Sequence, residues 1–273
     1  MKNMKKRKEK IKNMFMNVLI GDALGCTTEF KRKRELNNNK KHECVIGGGA
    51  FNIKAGCGTD DTDMTMCIVR AVNKAGLSTE LEGEIKKEFV KWLESDPADI
   101  GNACRLSIKE IMEQGYAEYD KYRRGNGSLM RALPLAVCKG NNEELSIMQS
   151  RLTHNNEKVD SIIKLYVKYV NDILNDKKTE NFEDKIDNIN LEEDEASGLA
   201  ETVFYQAVKI NKLNIPDEEK MIKAVNMGGD TDTLGAILGS MLMTELRKDW
   251  INCVELAQKE NLEEIDKFIE NYC

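Results

Sequence analysis

Two short runs of oxygen-bearing residues, far apart in the chain, hold the densest chemistry in this sequence. Gly58-Thr59-Asp60-Asp61-Thr62-Asp63 puts three aspartates and two threonines in five consecutive positions at the opening of an apolar helix. The run offers many oxygen donors and no nitrogen or sulfur, the set that hard cations such as Mg²⁺ and Mn²⁺ prefer. Taken alone it reads as well as a helix cap, because Asp and Thr are favoured there and acids suit the positive end of a helix. The second run, Gly228-Gly229-Asp230-Thr231-Asp232-Thr233-Leu234-Gly235, repeats the design, with Asp230 lying 169 residues beyond Asp61. Two helix starts rich in carboxylates cannot face each other in apolar surroundings without cations between them. Two metals about 3.5–4 Å apart, sharing aspartates, resolve that repulsion.

Four further features invite a chemical reading beside a structural one. Gly21-Asp22-Ala23-Leu24-Gly25 has glycines four apart, a spacing that lets another helix approach closely, and Glu29 at its exit is either a surface acid or a base aimed at the metals. Arg124-Gly125-Asn126-Gly127-Ser128-Leu129-Met130-Arg131 sets small residues before an apolar stretch. Such a turn exposes backbone N–H groups that can hold a diphosphate, although a helix cap explains it nearly as well. His154 is one of only two histidines, the other being His42 in a basic loop with no evident task. Asp99, in Pro97-Ala98-Asp99-Ile100-Gly101, reads by itself as another cap.

The elements that must position these residues are helices. Met64, Ile68, Val72 and Ala75 recur at helical spacing, as do Leu81, Ile85, Phe89 and Leu93, and Ile162, Tyr166, Tyr169 and Ile173. The pattern predicts further helices over 103–114, 143–152, 197–211, 218–226, 232–246 and 262–271. No βα alternation and no hairpin signal stands out, so the expected architecture is all-α. Residues 175–196, dense in Asn, Asp, Glu and Lys, read as an exposed polar connector. Because the chemistry draws on residues from both sides of it, one domain over 1–273 is expected, with 1–12 as a basic lead-in to the first helix.

The remaining composition narrows the function. At 273 residues the chain is long enough for a full core, and 41% apolar with 32% charged residues describes a globular protein. A net charge of −6 disfavours nucleic acid as a partner. The eight cysteines form no CxxC pair and read as reduced, mostly buried thiols. Seven of the first twelve residues are Lys or Arg, which imitates a signal peptide, but Asp22 interrupts a short apolar stretch. No segment approaches the length of a membrane span. A cytoplasmic monomer is the expectation.

Taken together, GDALG with Glu29, GTDDTDM at 58–64, PADIG at 97–101, NGSLMR at 126–131, TH at 153–154 and GGDTDTLGAILG at 228–239 resemble the ADP-ribosylglycohydrolase family, in its order. The likeness runs from about residue 14 to about residue 245. Its details are most similar to the branch that acts on dinitrogenase reductase. The resemblance implies an all-α fold whose central cleft holds two divalent cations, Mg²⁺ or Mn²⁺. By matching positions it implies Thr59, Asp60, Asp61, Asp230, Asp232 and Thr233 as ligands. Glu29 matches an acid that serves as base or gate, and Asp99 an aspartate reaching the metals. Gly125, Asn126, Gly127, Ser128 and His154 match positions lining an ADP-ribose pocket. One departure is Leu199, where the family commonly has an aromatic residue; another is the run Gly239-Ser240-Met241-Leu242, where further glycines are usual.

The implied reaction is hydrolysis of the N-glycosidic bond between ADP-ribose and an arginine guanidinium in a modified protein, with ADP-ribose as product. Three rivals share the residues: hydrolysis of serine-linked ADP-ribose or a small derivative, a binding-only ADP-ribose module, and a phosphohydrolase cutting the diphosphate.

Overall fold

The computed structural model describes residues 2–37, 40–140, 142–179 and 182–273. Among them there are fourteen helices and no strand, only three isolated β-bridges. They are α1 (Lys2–Gly25), α2 (Lys33–Asn37), α3 (Asp60–Ala75), α4 (Leu81–Glu94), α5 (Asn102–Gln114), α6 (Leu133–Val137) and α7 (Asn142–Arg151). Then follow α8 (Glu157–Leu174), α9 (Glu183–Ile186), α10 (Ala200–Asn211), α11 (Asp217–Val225), α12 (Thr231–Gly239), α13 (Lys248–Ala257) and α14 (Lys259–Tyr272). No described helix is long and apolar enough to cross a membrane.

The α1–α12 crossing is the organising contact. A Cβ on Gly21 would lie 2.2 Å from the Gly235 carbonyl oxygen, and one on Gly239 would lie 2.2 Å from that of Asn17. The helices therefore meet backbone to backbone, which the fourfold glycine spacing on both makes possible. This crossing brings the exit of α1, with Glu29, against the start of α12, with Asp232.

Of the segment 1–12, expected as a basic lead-in, the described residues 2–12 are the opening turns of α1 itself. Ile11 is fully buried, while Lys8 and Lys12 pair with Glu270 and Asp266 on α14 and Lys10 with Asp176. Lys8 also donates to the Glu270 carbonyl near the negative end of α14. The connector at 175–196 is likewise less exposed than its composition suggests. Phe182, Ile186, Ile189, Leu191 and Ala196 are buried. Phe182 packs edge-on to Phe204 and Tyr205, with ring centroids 5.8 Å away in each case. The spacing 182, 186, 189 is a helical stripe hidden among polar neighbours.

Two boundaries differ from the periodicity. The helix expected over 232–246 stops at Gly239, because the Asn17 carboxamide donates to the carbonyls of Leu242 and Thr244 and holds a turn there. The helix expected from 197 begins at Ala200, because 196–199 is used as a strap between loops. The cysteines are free thiols; Cys26, Cys67, Cys104, Cys138 and Cys273 are buried and Cys44 is exposed.

Candidate active site

The two Asp/Thr runs, distant in sequence, meet at the N-termini of α3 and α12. The Thr233 hydroxyl donates to Asp61 Oδ2 at 2.9 Å, and the Thr59 hydroxyl lies 3.2 Å from Asp232 Oδ2. Neither run caps its own helix with a side-chain hydrogen bond from the N-cap residue. The capping work on α3 is done from outside by Asp22. Its carboxylate accepts from the backbone N–H groups of Thr59 and Thr62, at 2.9 Å each, and from both threonine hydroxyls. The α3 carboxylates are thereby left for other partners. Asp63 alone turns aside, accepting from the Trp92 indole at 3.0 Å.

A cavity of about 270 Å³ opens in front of this junction, lined by a first group, Glu29, Asp60, Asp99, Asp230, Asp232 and Thr233, and also by Gly125, Asn126, Gly127 and His154. Thr59 and Asp61 stand directly behind the first group and are buried. Carboxylate oxygens of Glu29, Asp99 and Asp232 lie within 4.8 Å of one another. The structure thus gathers every candidate ligand and both candidate bases into one place.

Ser128 is the exception among the pocket residues. Its side chain is fully buried and its hydroxyl accepts from the Ser150 hydroxyl at 2.8 Å, away from the cavity. Only its backbone N–H, which has no partner among the described residues, can serve a ligand; the same holds for Gly127. Asn126 is also committed, since its amide donates to Asp230 Oδ2 at 2.7 Å and orients that carboxylate.

The loops are tied by residues 196–200. Asn126 N–H donates to the Gly198 carbonyl and Ala200 N–H to that of Arg124. Ala196 N–H donates to the Gly228 carbonyl and its own carbonyl accepts from Asp230. Phe30, which no motif or spacing singled out, forms part of the cavity lining with its ring largely exposed and set edge-on to Phe51. Its φ of 60° is rare for a non-glycine residue, and its N–H donation to the Gly229 carbonyl pins it there. Leu199 does not line the cavity. His42, which had no evident task, ties its loop to the end of α1 through a contact of its Nε2 with the Leu24 carbonyl at 3.0 Å.

The electrostatics of the cluster are uncompensated. Burial and neighbouring carboxylates push Asp60, Asp61 and Asp232 well above the usual carboxylate range, and burial also raises Asp22 and Asp230. Burial, then the charges of Asp99 and Asp230, carries Glu29 to about 9, and burial with Asp22 and Asp230 carries Asp99 to about 6. No cationic side chain is among the leading influences on any of the seven. Glu29 Oε2 and Asp61 Oδ1 are buried without a hydrogen-bond partner. To be ionised, buried acids in this state need a positive counter-charge. With an oxygen-only donor set, the residues fit hard divalent cations.

Comparison with known proteins agrees with this geometry. The sequence pattern of the ADP-ribosylglycohydrolase family matches residues 3–272. A Rhodospirillum rubrum protein named ADP-ribosyl-[dinitrogen reductase] glycohydrolase is 28% identical over 93% of this chain and 94% of its own. The ADP-ribosylarginine hydrolase Tri1 of Pseudomonas putida is 31% identical over 54% of this chain and 42% of its own. A solved structure titled ADP-ribosylglycohydrolase-related protein complex superposes with a TM-score of 0.82, at 21% identity, covering 97% of this chain and 99% of that one.

Proposed function

The chain belongs to the ADP-ribosylglycohydrolase family, and from that premise we propose that it removes ADP-ribose from arginine side chains of a modified protein. One observation carries the reading: seven carboxylates, five of them buried, converge at a cavity that is also lined by Gly125, Asn126, Gly127 and His154.

Thr59, Asp60, Asp61, Asp230, Asp232 and Thr233 are the residues that would hold two divalent cations, Mg²⁺ or Mn²⁺. When bound, such ions supply Lewis acidity and charge neutralisation at the sugar. The chain's own groups account for the rest. The free N–H of Gly127 and the His154 ring, both at the cavity, would donate to the oxygens of the diphosphate, with the N–H of Ser128 next in the loop. Phe30 supplies an aromatic face at the cavity wall in the absence of one at Leu199. Water adds to the anomeric carbon as the bond from that carbon to the guanidinium nitrogen breaks, through an oxocarbenium-like transition state. Glu29 or Asp99 takes the proton that the water loses. Their carboxylates lie close together at the cavity, and cations held beside them would draw both toward the ionised form that a base needs. The bonding pair leaves with the guanidinium nitrogen, so arginine departs as a neutral guanidine and regains its guanidinium charge by taking up the proton the water has lost.

The linkage is tested by supplying arginine-linked and serine-linked ADP-ribosylated proteins side by side with Mg²⁺ or Mn²⁺. Release of intact ADP-ribose from the arginine substrate alone is expected. Release from serine alone overturns the specificity, and AMP as product overturns the bond.

A further inference from the structure

We infer that Arg131 and Thr153 are positioning residues that lock His154 as its Nε2–H tautomer, so that a neutral ring presents one fixed donor to the cavity. Arg131 is fully buried, and its guanidinium carbon sits 4.6 Å from the centre of the Phe89 ring. It donates through Nε to Gln149 Oε1, through Nη1 to the Gly127 carbonyl, and through Nη2 to the Gln149 carbonyl and Thr153 Oγ1, the last at 2.7 Å. Thr153 Oγ1 in turn lies 2.8 Å from His154 Nδ1.

The direction of the chain follows from what each group can do. A guanidinium only donates, so one lone pair of Thr153 Oγ1 is taken. Accepting from a cation polarises the hydroxyl toward donating its own hydrogen. The good acceptor within reach is His154 Nδ1; the neighbouring Cys104 sulfur, which Thr153 also approaches, is a weak one. Nδ1 then carries no proton, and Nε2 carries it.

Nε2 has no protein partner among the described residues and lies where a Cβ on Gly125 would come within 3.2 Å of it. A Cβ on Gly127 would likewise come within 3.0 Å of the ring carbon Cε1, so Gly125 and Gly127 keep open the space in front of the ring, and His154 lines the cavity. Burial and the charges of Arg131 and Arg123 lower the His154 pKa to about 3, which keeps the ring neutral. The same guanidinium also fixes the Gly127 carbonyl, so ring and loop are set by one group. The identity of the acceptor, an oxygen of the diphosphate, rests on the function proposed above; the tautomer does not.

The test is a long-range ¹H–¹⁵N spectrum of the imidazoles in the full chain. With only two histidines, His42→Gln identifies the His154 signals. The expected result is a pyrrole-type Nε2 and a pyridine-type Nδ1 in the native protein and in Thr153→Ser, and a mixed or reversed pattern in Thr153→Val. Thr153→Ala serves the same purpose if the valine variant does not fold. With arginine-linked substrate, Thr153→Val raises KM about tenfold, the order of one hydrogen bond, with kcat within about twofold, and Thr153→Ser restores it. A pyrrole-type Nδ1 in the native protein overturns the inference, as does a Thr153→Val variant with unchanged tautomer or unchanged KM. If the tautomer behaves as stated while the native chain releases no ADP-ribose, the relay stands and the proposed function fails.

Discussion

Asp22 spends its carboxylate on the turn that carries Thr59, Asp60 and Asp61, yet does not itself line the cavity. Outer partners of this kind typically govern metal affinity by about 10- to 100-fold. Asp22→Ala is therefore expected to weaken Mn²⁺ binding by about that factor in calorimetry, with Asp22→Asn milder; unchanged affinity would show that the turn holds its shape without it. The Asp/Thr runs themselves were legible, because five and four oxygen-bearing residues in a row are dense signals. Asp22 was not, because its bonds span 37 and 40 residues and its neighbours Gly21 and Gly25 already explained the segment as helix packing. Ser128 misled in the opposite sense, since position in a motif says nothing about which way a hydroxyl turns. Titration makes a second prediction. Asp99 moves from an ordinary 3.8 to about 6 and Glu29 from 4.5 to about 9 in the cation-free fold. The folded state then binds these protons more tightly than the unfolded chain. Their contribution is intact below pH about 4 and is lost as pH rises through about 6 and then about 9. In EDTA, Tm should fall across that window, and Mn²⁺ should restore it most at the alkaline end. A Tm in EDTA that rises from pH 6 to pH 9 would contradict the assignment.

Helix α1 and helix α12 illustrate how much of an element can be read from small residues. Gly21, Gly25, Gly235 and Gly239 announce a close crossing, and all four would place a Cβ within 2.6 Å of backbone on the other helix. Gly235→Ala has no flexible side chain to displace, so it should cost about 1–3 kcal/mol in urea unfolding and reduce turnover with it. An alanine variant of native stability would mean that the helices separate freely. The ends of elements were harder. Where α12 stops depends on Asn17, more than two hundred residues earlier, holding the turn just beyond it through the carbonyls of Leu242 and Thr244. The helix α13 escaped notice because its buried residues, Trp250, Ile251 and Val254, are few and follow a polar stretch. The segment 182–191 escaped because polar residues outnumber its apolar stripe.

At the scale of the molecule, the site draws on Asp22 and Glu29, on residues 59–61, on Asp99, on 125–128, on His154 and on 230–233. Nearly the whole chain must fold before the cavity exists. The straps at 196–200 and the pairing of Gly229 with Phe30 and Lys31 join segments that share no local sequence signal. That is why the all-helical class was legible and the joining was not: periodicity reports which face of a helix is buried, and never against what. The same architecture places two acid clusters together at an energetic cost that protonation relieves in the cation-free fold and that the proposed cations would offset at neutral pH. The measurement that tests this most directly is release of ADP-ribose from arginine-modified protein by chain stripped with EDTA and then titrated with Mn²⁺ or Mg²⁺. It is run on the native chain and on Asp61→Asn and Asp232→Asn, each checked for folding. The expected result is no turnover in EDTA, recovery of the native chain on adding the ion, and a loss of at least about a thousandfold in both variants. Undiminished turnover in EDTA, or in both folded variants, would contradict the account.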